Sequence, residues 1–301
     1  MLELLVYGIV LGSIIALGAL GIAIISRVAN MSNFAHGDFM TVGAYVALVV
    51  NGTLLSGMAA LQQKIGPLSF GAGLLLSFIP AAIVTALVAI GIDQWVYRPL
   101  RGRRASPILM AMVSMGIAFA VRGVIYIIWG ADFHFYVSGI RRMLFLPGGI
   151  KIRPDEIFIM IATWSLVALT YLFLGRTRTG KALRAVADNP DLARVAGIGT
   201  ERMIAWAWGI SGGLAAAAGI LYGIETQLRP EMGWVFLLPL FAAVTLGGIG
   251  SMEGALVGGL VLGIAQQMST AFLLPTYKPA VAFAIMVIIL LVKPEGIFGR
   301  R

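Results

Sequence analysis

The stretch LLVYGIVLGSIIALGALGIAII, residues 4–25, contains no charged side chain. A transmembrane α-helix needs about 20 consecutive, mostly apolar residues, so this stretch is long enough to cross a bilayer. It lacks the basic leading region and the A-x-A site of a cleaved signal peptide. We therefore interpret it as a membrane helix that the protein retains.

The composition indicates that the whole chain, like residues 4–25, belongs in a membrane. Hydrophobic residues make up 59% of the sequence, charged residues only 12%, and the mean hydropathy is +0.95. A soluble domain carries about 25% charged residues, so this chain has too few to cover a water-facing surface. In such a protein the net charge of +9 indicates basic cytoplasmic loops rather than a nucleic-acid partner.

Further apolar runs predict an all-α, polytopic integral membrane protein with eight or nine transmembrane segments. The long runs cover residues 4–25, 70–95, 107–129, 155–175, 203–225, 252–274 and 279–292. The runs 34–50 and 235–250 are shorter or broken by glycine and proline, which predicts one or two interrupted helices. No soluble domain or linker interrupts the pattern, so residues 1–301 are predicted to form one transmembrane domain.

Basic residues predict the orientation, because cytoplasmic loops carry an excess of Lys and Arg. Three clusters fit one side of the membrane: Arg98, Arg101, Arg103 and Arg104; Arg176, Arg178, Lys181, Arg184, Arg194 and Arg202; and Lys293, Arg300 and Arg301. The C-terminus is then cytoplasmic. Arg27 joins this side if 34–50 also crosses, which puts the N-terminus in the periplasm. A fourth basic group, Arg141, Arg142, Lys151 and Arg153, falls on the outside and does not fit the rule.

A glycine-rich stretch, GRTRTGK at residues 175–181, fits most of the phosphate-binding pattern G-x-x-x-x-G-K-[ST]. A true phosphate loop follows a β-strand and ends in a hydroxyl residue that holds magnesium. Here WSLVALTYLFLG (164–175) is the end of a membrane helix, and Ala182 has no hydroxyl. The pattern therefore does not predict a nucleotide site.

The same region predicts two short helices on a basic loop of about residues 176–202. Thr179 is an expected N-cap for a helix over 180–188, and Asn189 caps a second helix with Pro190 at its first position. Gly197 or Gly199 closes the second helix. Their apolar side chains, including Val186, Leu192 and Val195, leave two interpretations open. The pair rests on anionic lipid, or it docks a soluble cytoplasmic partner.

Four segments carry a family resemblance. GKALRAVADNPDLARVAGI (180–198) resembles the cytoplasmic coupling loop of ABC importer permeases of the branched-chain amino-acid class. NMSNFAHGDFMTVGAYVA (30–47), LGGIGSMEGALVGGLVLGI (246–264) and KPEGIFGR (293–300) resemble other segments of that class. These segments are spread across nearly the whole chain, in the same order as in the class.

The resemblance implies a permease subunit of the H type in a bacterial inner membrane, translocating branched-chain or other hydrophobic amino acids. It implies a second related permease, two ABC ATPase subunits that carry the ATP and magnesium, and a periplasmic solute-binding protein. The implied coupling residues are Thr179, Gly180, Lys181, Arg184, Asp188, Asn189, Pro190, Leu192, Arg194 and Gly197. The chain itself is then no enzyme and needs no cofactor. Relatives that carry urea, amides or other small solutes keep the substrate open.

Two function classes outside the resemblance remain as alternatives. An autonomous secondary transporter or channel would not need a docking loop. A membrane-embedded enzyme would need a cluster of polar catalytic residues, and the sequence offers none. With two histidines, far apart, and no cysteine, a zinc site is not predicted either.

Paired short or broken helices in a transporter point to its substrate path. The path residues predicted on this basis are Asn33, His36, Asp38, Gly43, Ala44, Gly247, Gly248 and Gly250. His36 and Asp38 are two residues apart and do not share a helix face, which argues against a metal or proton-relay pair. The simpler interpretation is a polar helix start at the cytoplasmic interface, capped by Asn33 or Ser32.

Two further patterns concern packing inside the membrane. Glycines four residues apart, as in Gly8 with Gly12 and Gly259 with Gly263, predict close helix contacts. Arg122 lies two-thirds of the way along its predicted helix. An outward-snorkelling side chain is the favoured interpretation, with Asp132, Glu225 and Asp93 as alternative partners.

Overall fold

The computed structural model describes residues 1–137, 139, 141–146 and 150–299, most of them helical. The helices are α1 (Leu2–Ala29), α2 (His36–Val49), α3 (Ala59–Gln62), α4 (Ala72–Ile92), α5 (Arg98–Gly102), α6 (Pro107–Trp129), α7 (Pro154–Arg176), α8 (Arg178–Asp188), α9 (Pro190–Val195), α10 (Thr200–Glu225), α11 (Met232–Gly247), α12 (Met252–Ser269) and α13 (Lys278–Val292). π-Helical turns continue α2 (Val50–Leu54) and α4 (Asp93–Tyr97), and a 3₁₀ turn (Pro275–Tyr277) precedes α13. A hairpin of β1 (Leu144–Leu146) and β2 (Ile150–Ile152) joins α6 to α7.

The helices confirm the predicted all-α, polytopic membrane fold. Among the described residues, seven helices are long and apolar enough to span a membrane: Leu2–Ala29, His36–Leu54, Ala72–Gly102, Pro107–Trp129, Pro154–Arg176, Thr200–Glu225 and Pro275–Val292. Two more helices account for the larger number predicted from sequence. Helix α11 has only 16 residues, and the 18-residue α12 ends in the polar pair Gln266 and Gln267.

Helix α1 forms the centre of the molecule. Its residues from Ile14 to Ile25 are almost all buried, and it contacts α7, α10, α11 and α12. Helices α4, α6, α7 and α13 instead leave large apolar side chains exposed, such as Ile127 and Leu291. In a membrane protein such faces are in contact with lipid tails or with apolar partner helices.

Glycines bring the central helices into close contact, as their spacing predicts. A Cβ atom on Gly12 would lie 2.9 Å from the Cα of Leu260, and one on Gly8 would lie 2.8 Å from the Cα of Ile264. The obstructing atoms are backbone, which cannot move aside as a flexible side chain would. The absence of a side chain at these positions therefore allows α1 and α12 to cross closely.

The two segments predicted to be broken are continuous helices. Residues 36–49 form α2 without interruption, and its two glycines pack closely, Gly37 against Gly233 and Gly43 against Ala216. Helix α11 is short, as predicted, but Pro239 lies within it and the helix ends only at Gly247. The prediction of interrupted helices is therefore wrong here: glycine marks close approach rather than a break.

The start of α2 differs from the sequence expectation. His36 packs beside Gly21, eight residues before the end of α1, so α2 begins roughly 12 Å inside the bundle rather than at the interface. Its N-cap is Ala35, not Asn33 or Ser32.

The short connector before α2 is irregular, and hydrogen bonds within the protein satisfy its Phe34 and Ala35 amides, although the Asn33 side-chain nitrogen is buried without a partner. Asn30 turns the chain in the left-handed region, with φ 50°. The Asn33 Oδ1 accepts from the Ala35 amide at 3.1 Å, and the Phe34 amide donates to Ser114 Oγ at 3.0 Å. Irregular backbone at membrane depth is tolerated where protein buries it in this way.

The predicted basic clusters meet at one end of the molecule, called here the basic end. The guanidinium of Arg27 pairs with Asp188 at 3.1 Å, and that of Arg101 pairs with Glu201 at 2.8 Å. The C-terminal segment returns to the same end, where the Ile297 amide donates to the Leu246 carbonyl at 2.8 Å. Arg300 and Arg301, from the third cluster, lie outside the described residues.

The group that did not fit the positive-inside rule lies at the opposite end of α1. There the Lys151 amide donates to the Glu3 carboxylate at 3.2 Å. Arg153 is paired with both Glu156 and Glu225, and the Arg141 guanidinium donates to the Ile224 carbonyl at 2.8 Å. The charge of Arg153 is therefore neutralised within the protein.

Candidate coupling surface and substrate path

A tight turn joins α7 to α8 at the basic end. The Thr177 hydroxyl accepts from the Gly180 amide at 2.9 Å and donates to the Phe173 carbonyl at 2.7 Å. A Cβ on Gly180 would collide with the backbone of Leu174. The N-cap is thus Thr177 rather than the predicted Thr179, because the chain leaves the helical conformation at Thr177 and resumes it at Arg178.

Helix α8 has one face in the protein and one in water. Leu183 and Val186 are buried among the bundle helices, whereas Lys181, Arg184 and Asp188 are exposed. Val186 was expected to contribute to an apolar surface that meets lipid or a partner, but it is buried against the protein itself. The apolar face of α8 holds the helix against the bundle, and the charged face is free to meet a partner.

The caps of α9 are those that its sequence predicts. The Asn189 Oδ1 accepts from the amides of Asp191 at 3.1 Å and Leu192 at 2.9 Å, and Pro190 occupies the first turn. Gly197 follows the helix with φ +81°, which an L side chain rarely adopts. These local features fix the angle between α8 and α9.

Helix α9 presents two apolar side chains outward. Leu192 is 67% exposed and Val195 86% exposed, although Ala193 between them is buried. The exposed charges of Lys181, Arg184 and Arg194 belong to the same helix pair. A small apolar patch with a charged rim is typical of a protein-binding surface. We call this patch and its basic rim the coupling surface.

The phosphate-like pattern of residues 175–181 runs from the end of α7 into the start of α8. Gly175 is part of α7 and Lys181 is part of α8, so a helix rather than a strand precedes the pattern. Lys181 is exposed. Among the described residues, no three His, Cys, Asp or Glu side chains come together in a way that would hold a metal ion.

The side chains of His36 and Asp38 point to different neighbours, as their spacing predicts. Both are fully buried. The His36 Nδ1 lies 3.3 Å from the Ser211 hydroxyl on α10, whereas Asp38 faces Arg122 on α6. The two residues therefore belong to separate polar contacts and not to one relay.

Arg122 does not snorkel outward, which corrects the favoured interpretation. Its guanidinium makes a bidentate pair with Asp38, at 2.9 and 3.1 Å, and lies 4.5 Å from the ring centroid of Trp234. None of the three predicted partners pairs with it. Nothing in the sequence pointed to Asp38 as the partner, because the two residues are 84 positions apart.

Helices α2 and α11, which carry most of the predicted path residues, lie against each other. The Gly233 amide donates to the Thr41 hydroxyl at 3.1 Å. Ala44 is fully buried, and its carbonyl accepts from the Tyr136 hydroxyl at 2.6 Å. Burial raises the pKa of Tyr136 well above its ordinary value, so this hydroxyl keeps its proton as a donor.

The remaining predicted path residues lie at the basic end of α11. Gly247 packs against the backbone of Gly254, while Gly248 and Gly250 have φ of +102° and +83°. Gly248 also meets the C-terminal segment at Gly299. The structure thus brings the two segments together, and their role in a substrate path stays a prediction.

A large cavity that the sequence did not reveal opens at the end away from the coupling surface. Its volume is about 690 Å³. Its charged lining residues are Arg153, which precedes α7, Glu156 of α7, Glu225 of α10, Arg229 and Lys278 of α13. In the sequence, these charges lie at the ends of separate apolar runs. No local pattern shows that the ends of those runs meet in the fold.

Comparison with known proteins agrees with the resemblance found in the four segments. A family model described as the permease component of branched-chain amino acid transport systems matches residues 4–290. The chain is 32% identical over 301 residues to the high-affinity branched-chain amino acid transport system permease protein LivH of Escherichia coli K12, covering 97% of this chain and 94% of the relative.

Two further relatives extend the comparison. The corresponding protein BraD of Pseudomonas aeruginosa is 33% identical over 309 residues, covering 99% of this chain and 96% of the relative. A probable LivH of Methanocaldococcus jannaschii is 31% identical over 306 residues, covering 97% and 90%. No solved structure matches the chain. The chain belongs to the family of branched-chain amino acid transport permeases, and it is a membrane-spanning subunit of an importer rather than an enzyme.

Proposed function

We propose that this chain translocates branched-chain or other hydrophobic amino acids into the cytoplasm as one of two related permease subunits. Two ABC ATPase subunits bind ATP and magnesium and dock on the coupling surface. A periplasmic solute-binding protein delivers the substrate at the opposite end. The names of relatives that match almost the whole chain support the substrate class. We assign ATP and magnesium to the partners because the chain's phosphate-like pattern lies in helices.

The observation that carries this proposal is the outward display of Leu192 and Val195 within a basic rim. A helix pair resting on lipid is the competing interpretation of the same surface. An isolated apolar contact with basic neighbours suits a groove on a soluble protein, where a few buried side chains supply most of the binding energy. The buried Leu183 and Val186 hold the pair rigidly in place, which a coupling element requires.

Co-purification of the ATPase subunits with the chain from membranes tests the docking. Arg184→Glu combined with Leu192→Asp should lower ATPase recovery at least tenfold, because loss of a central contact costs about 2 kcal/mol or more. Membrane insertion should be unchanged. Phe145→Asp is the control, since Phe145 is 74% exposed at the other end and its change should leave recovery intact. ATPase recovery at the wild-type level by the double variant would refute the docking role.

We propose that the basic end faces the cytoplasm, which puts the N-terminus in the periplasm and the C-terminus in the cytoplasm. The rule that cytoplasmic loops are rich in Lys and Arg supports this orientation. The contacts at the other end also support it, because Arg153 pairs with Glu225 and Arg141 donates to the Ile224 carbonyl. Positive charges bound within the protein in this way contribute little to the charge bias that sets the orientation. We also propose that substrate passes beside α2 and α11.

Single cysteines test both proposals cleanly, because the chain has no native cysteine. In intact cells, Phe145→Cys should react with a membrane-impermeant thiol reagent. Arg103→Cys, which is exposed at the basic end and outside the coupling surface, should react only after permeabilisation. Ala44→Cys and Thr245→Cys should be labelled in the assembled transporter during ATP turnover. The buried Ser13→Cys on α1 is the unreactive control. Labelling with the sides reversed would overturn the orientation, and silence at 44 and 245 in every nucleotide state would overturn the path.

A further inference from the structure

The cavity at the end away from the coupling surface has the size of a small-molecule site. Its volume of about 690 Å³ falls within the range of roughly 300–1,000 Å³ that is typical of such sites. Helices α1, α7, α10, α11, α12 and α13 all contribute to its wall. It lies where the N-terminal end of α1 meets α7 and α10, which is the end that faces the periplasm in the orientation proposed above.

One wall of the cavity carries two carboxylates, Glu156 and Glu225, and one guanidinium, Arg153. Arg153 lies between Glu156 and Glu225, so one guanidinium serves two carboxylates. Both Glu156 oxygens are occupied, by the Arg153 side chain at 2.6 Å and its backbone amide at 3.1 Å. The second oxygen of Glu225 is buried and has no hydrogen-bond partner. This wall therefore has a carboxylate oxygen free to accept a hydrogen bond from an ammonium group.

Another part of the wall carries an unpaired positive charge. The Lys278 ammonium donates to the Gln267 side-chain oxygen at 2.7 Å, and it makes no ion pair with any described residue. Gln266, which also lines the cavity, is only 3% exposed, and its amide nitrogen has no partner. Leaving a buried donor without a partner is costly. The two groups together can bind a carboxylate that enters the cavity.

Apart from Arg229, which pairs with Glu231 at 3.8 Å, the rest of the wall is largely apolar. Val10 and Leu11 from α1 and Val235, Phe236 and Pro239 from α11 all line the space. These side chains offer hydrocarbon surface to a bound solute but no charge. A pocket of apolar walls with a few converging polar groups binds a solute in a defined orientation.

We propose that this cavity is a binding site for a zwitterion with an apolar side chain, such as a branched-chain amino acid. Glu225 accepts from its ammonium, Lys278 and Gln266 bind its carboxylate, and Phe236 contacts its side chain. The proposal rests on the proposed import of hydrophobic amino acids and adds the site of first contact with the permease. The headgroup of phosphatidylethanolamine has the same pairing of ammonium and anion, so lipid is the other source of this chemistry.

The first test uses the wild-type, full-length chain in nanodiscs made without phosphatidylethanolamine. Binding of tritiated L-leucine is measured by scintillation proximity, with two competitors that each lack one charge. Isoamylamine lacks the carboxylate and 4-methylpentanoate lacks the ammonium. Each should compete at least about tenfold more weakly than unlabelled leucine, because each leaves one charged group of the site without its partner. Equal competition by all three would refute zwitterion recognition without the use of any variant.

The second test assigns the two charges to residues. Lys278→Gln should weaken leucine binding at least about tenfold and leave isoamylamine binding unchanged. Glu225→Gln should weaken leucine binding similarly and leave 4-methylpentanoate binding unchanged. Lys151→Gln and Asp132→Asn, exposed residues at the same end, are the matched controls. Leucine binding at the wild-type level in both cavity variants, once thermal unfolding shows them folded, would overturn the assignment.

Two further arms separate the possible failures. If leucine binds only weakly in every nanodisc, and added phosphatidylethanolamine protects a Val235→Cys variant from a thiol reagent, the cavity is a lipid site and the proposal is wrong. Leucine uptake is also measured in vesicles that contain the chain with its partner subunits. Normal uptake by the Lys278→Gln and Glu225→Gln variants would refute the site while the proposed function stands. If the ATPase subunits do not co-purify with the wild-type chain, the proposed function is refuted, whereas the leucine-binding result still stands.

Discussion

A single buried ion pair offsets the free-energy cost of placing Arg122 in the membrane. An unpaired arginine at the centre of a transmembrane helix costs about 3 kcal/mol on insertion scales. Here the Asp38 carboxylate binds the guanidinium through both oxygens, and Trp234 covers its face at 4.5 Å. Because the Asp38 side chain is fully buried, each charge depends on the other for its solvation.

Removal of one partner should therefore be far more harmful than removal of both. Asp38→Asn should destabilise the protein by about 3–5 kcal/mol, since it leaves a buried guanidinium without a counter-charge. The double change Asp38→Leu with Arg122→Met should recover most of that loss, because an apolar pair needs no charge solvation. Thermal unfolding in detergent, followed by tryptophan fluorescence, measures both. If Asp38→Asn unfolded at the temperature of the exposed control Asp132→Asn, the pair would not contribute as argued.

At the scale of elements, close helix packing depends on glycine at particular crossings. Helix α1 touches α12 at Gly8 and Gly12, whose missing side chains leave room for backbone atoms of α12. Glycines of α6 differ, because a Cβ on Gly116 or Gly123 would meet nothing within 4 Å. The same residue type thus has two roles, and only the contacts distinguish them.

A matched pair of alanine substitutions tests this distinction. Gly12→Ala should lower stability by about 1–3 kcal/mol, because the added methyl group meets backbone that must shift. Gly123→Ala should be neutral or slightly stabilising, since alanine is the better helix former and the space is open. The thermal unfolding temperatures of the two variants give the comparison. Equal shifts for both would show that α1 and α12 are not held by this contact.

At the scale of the whole molecule, the two candidate surfaces lie at opposite ends of the central helix. Helix α1 contacts the cavity through Tyr7 at one end, and through Arg27 it holds Asp188 of α8 at the other. Helix α10 likewise connects Glu225 in the cavity wall to Glu201, which binds Arg101 near the coupling surface. The proposed solute site and the proposed ATPase-docking surface are thus connected by the same two helices.

Sequence reasoning succeeded for features that are determined by residues within one short segment. Apolar runs without charges predicted the membrane helices, and Asn189 with Pro190 predicted the start of α9. The role of Thr179 was misassigned by two residues, because Thr177 and Thr179 are equally good caps and only the exit angle of α7 selects between them. Such errors are local and small.

Features that depend on distant contacts could not be predicted. Asp38 reaches Arg122 because α2 starts inside the bundle, where His36 packs beside Gly21. The cavity is built from six helices, so no single stretch carries its pattern. Glycine in α2 and α11 was interpreted as a break, because sequence alone does not tell a bend from a close crossing.

The central claim is that this chain imports amino acids only as part of an ATP-driven assembly. The most direct measurement is uptake of tritiated leucine into proteoliposomes that hold the chain, its partner permease, the ATPases and the binding protein. We predict accumulation against a gradient that needs ATP and every partner, and that falls to background with Arg184→Glu and Leu192→Asp. Concentrative uptake by the chain alone, or uptake unaffected by that double change, would contradict the account.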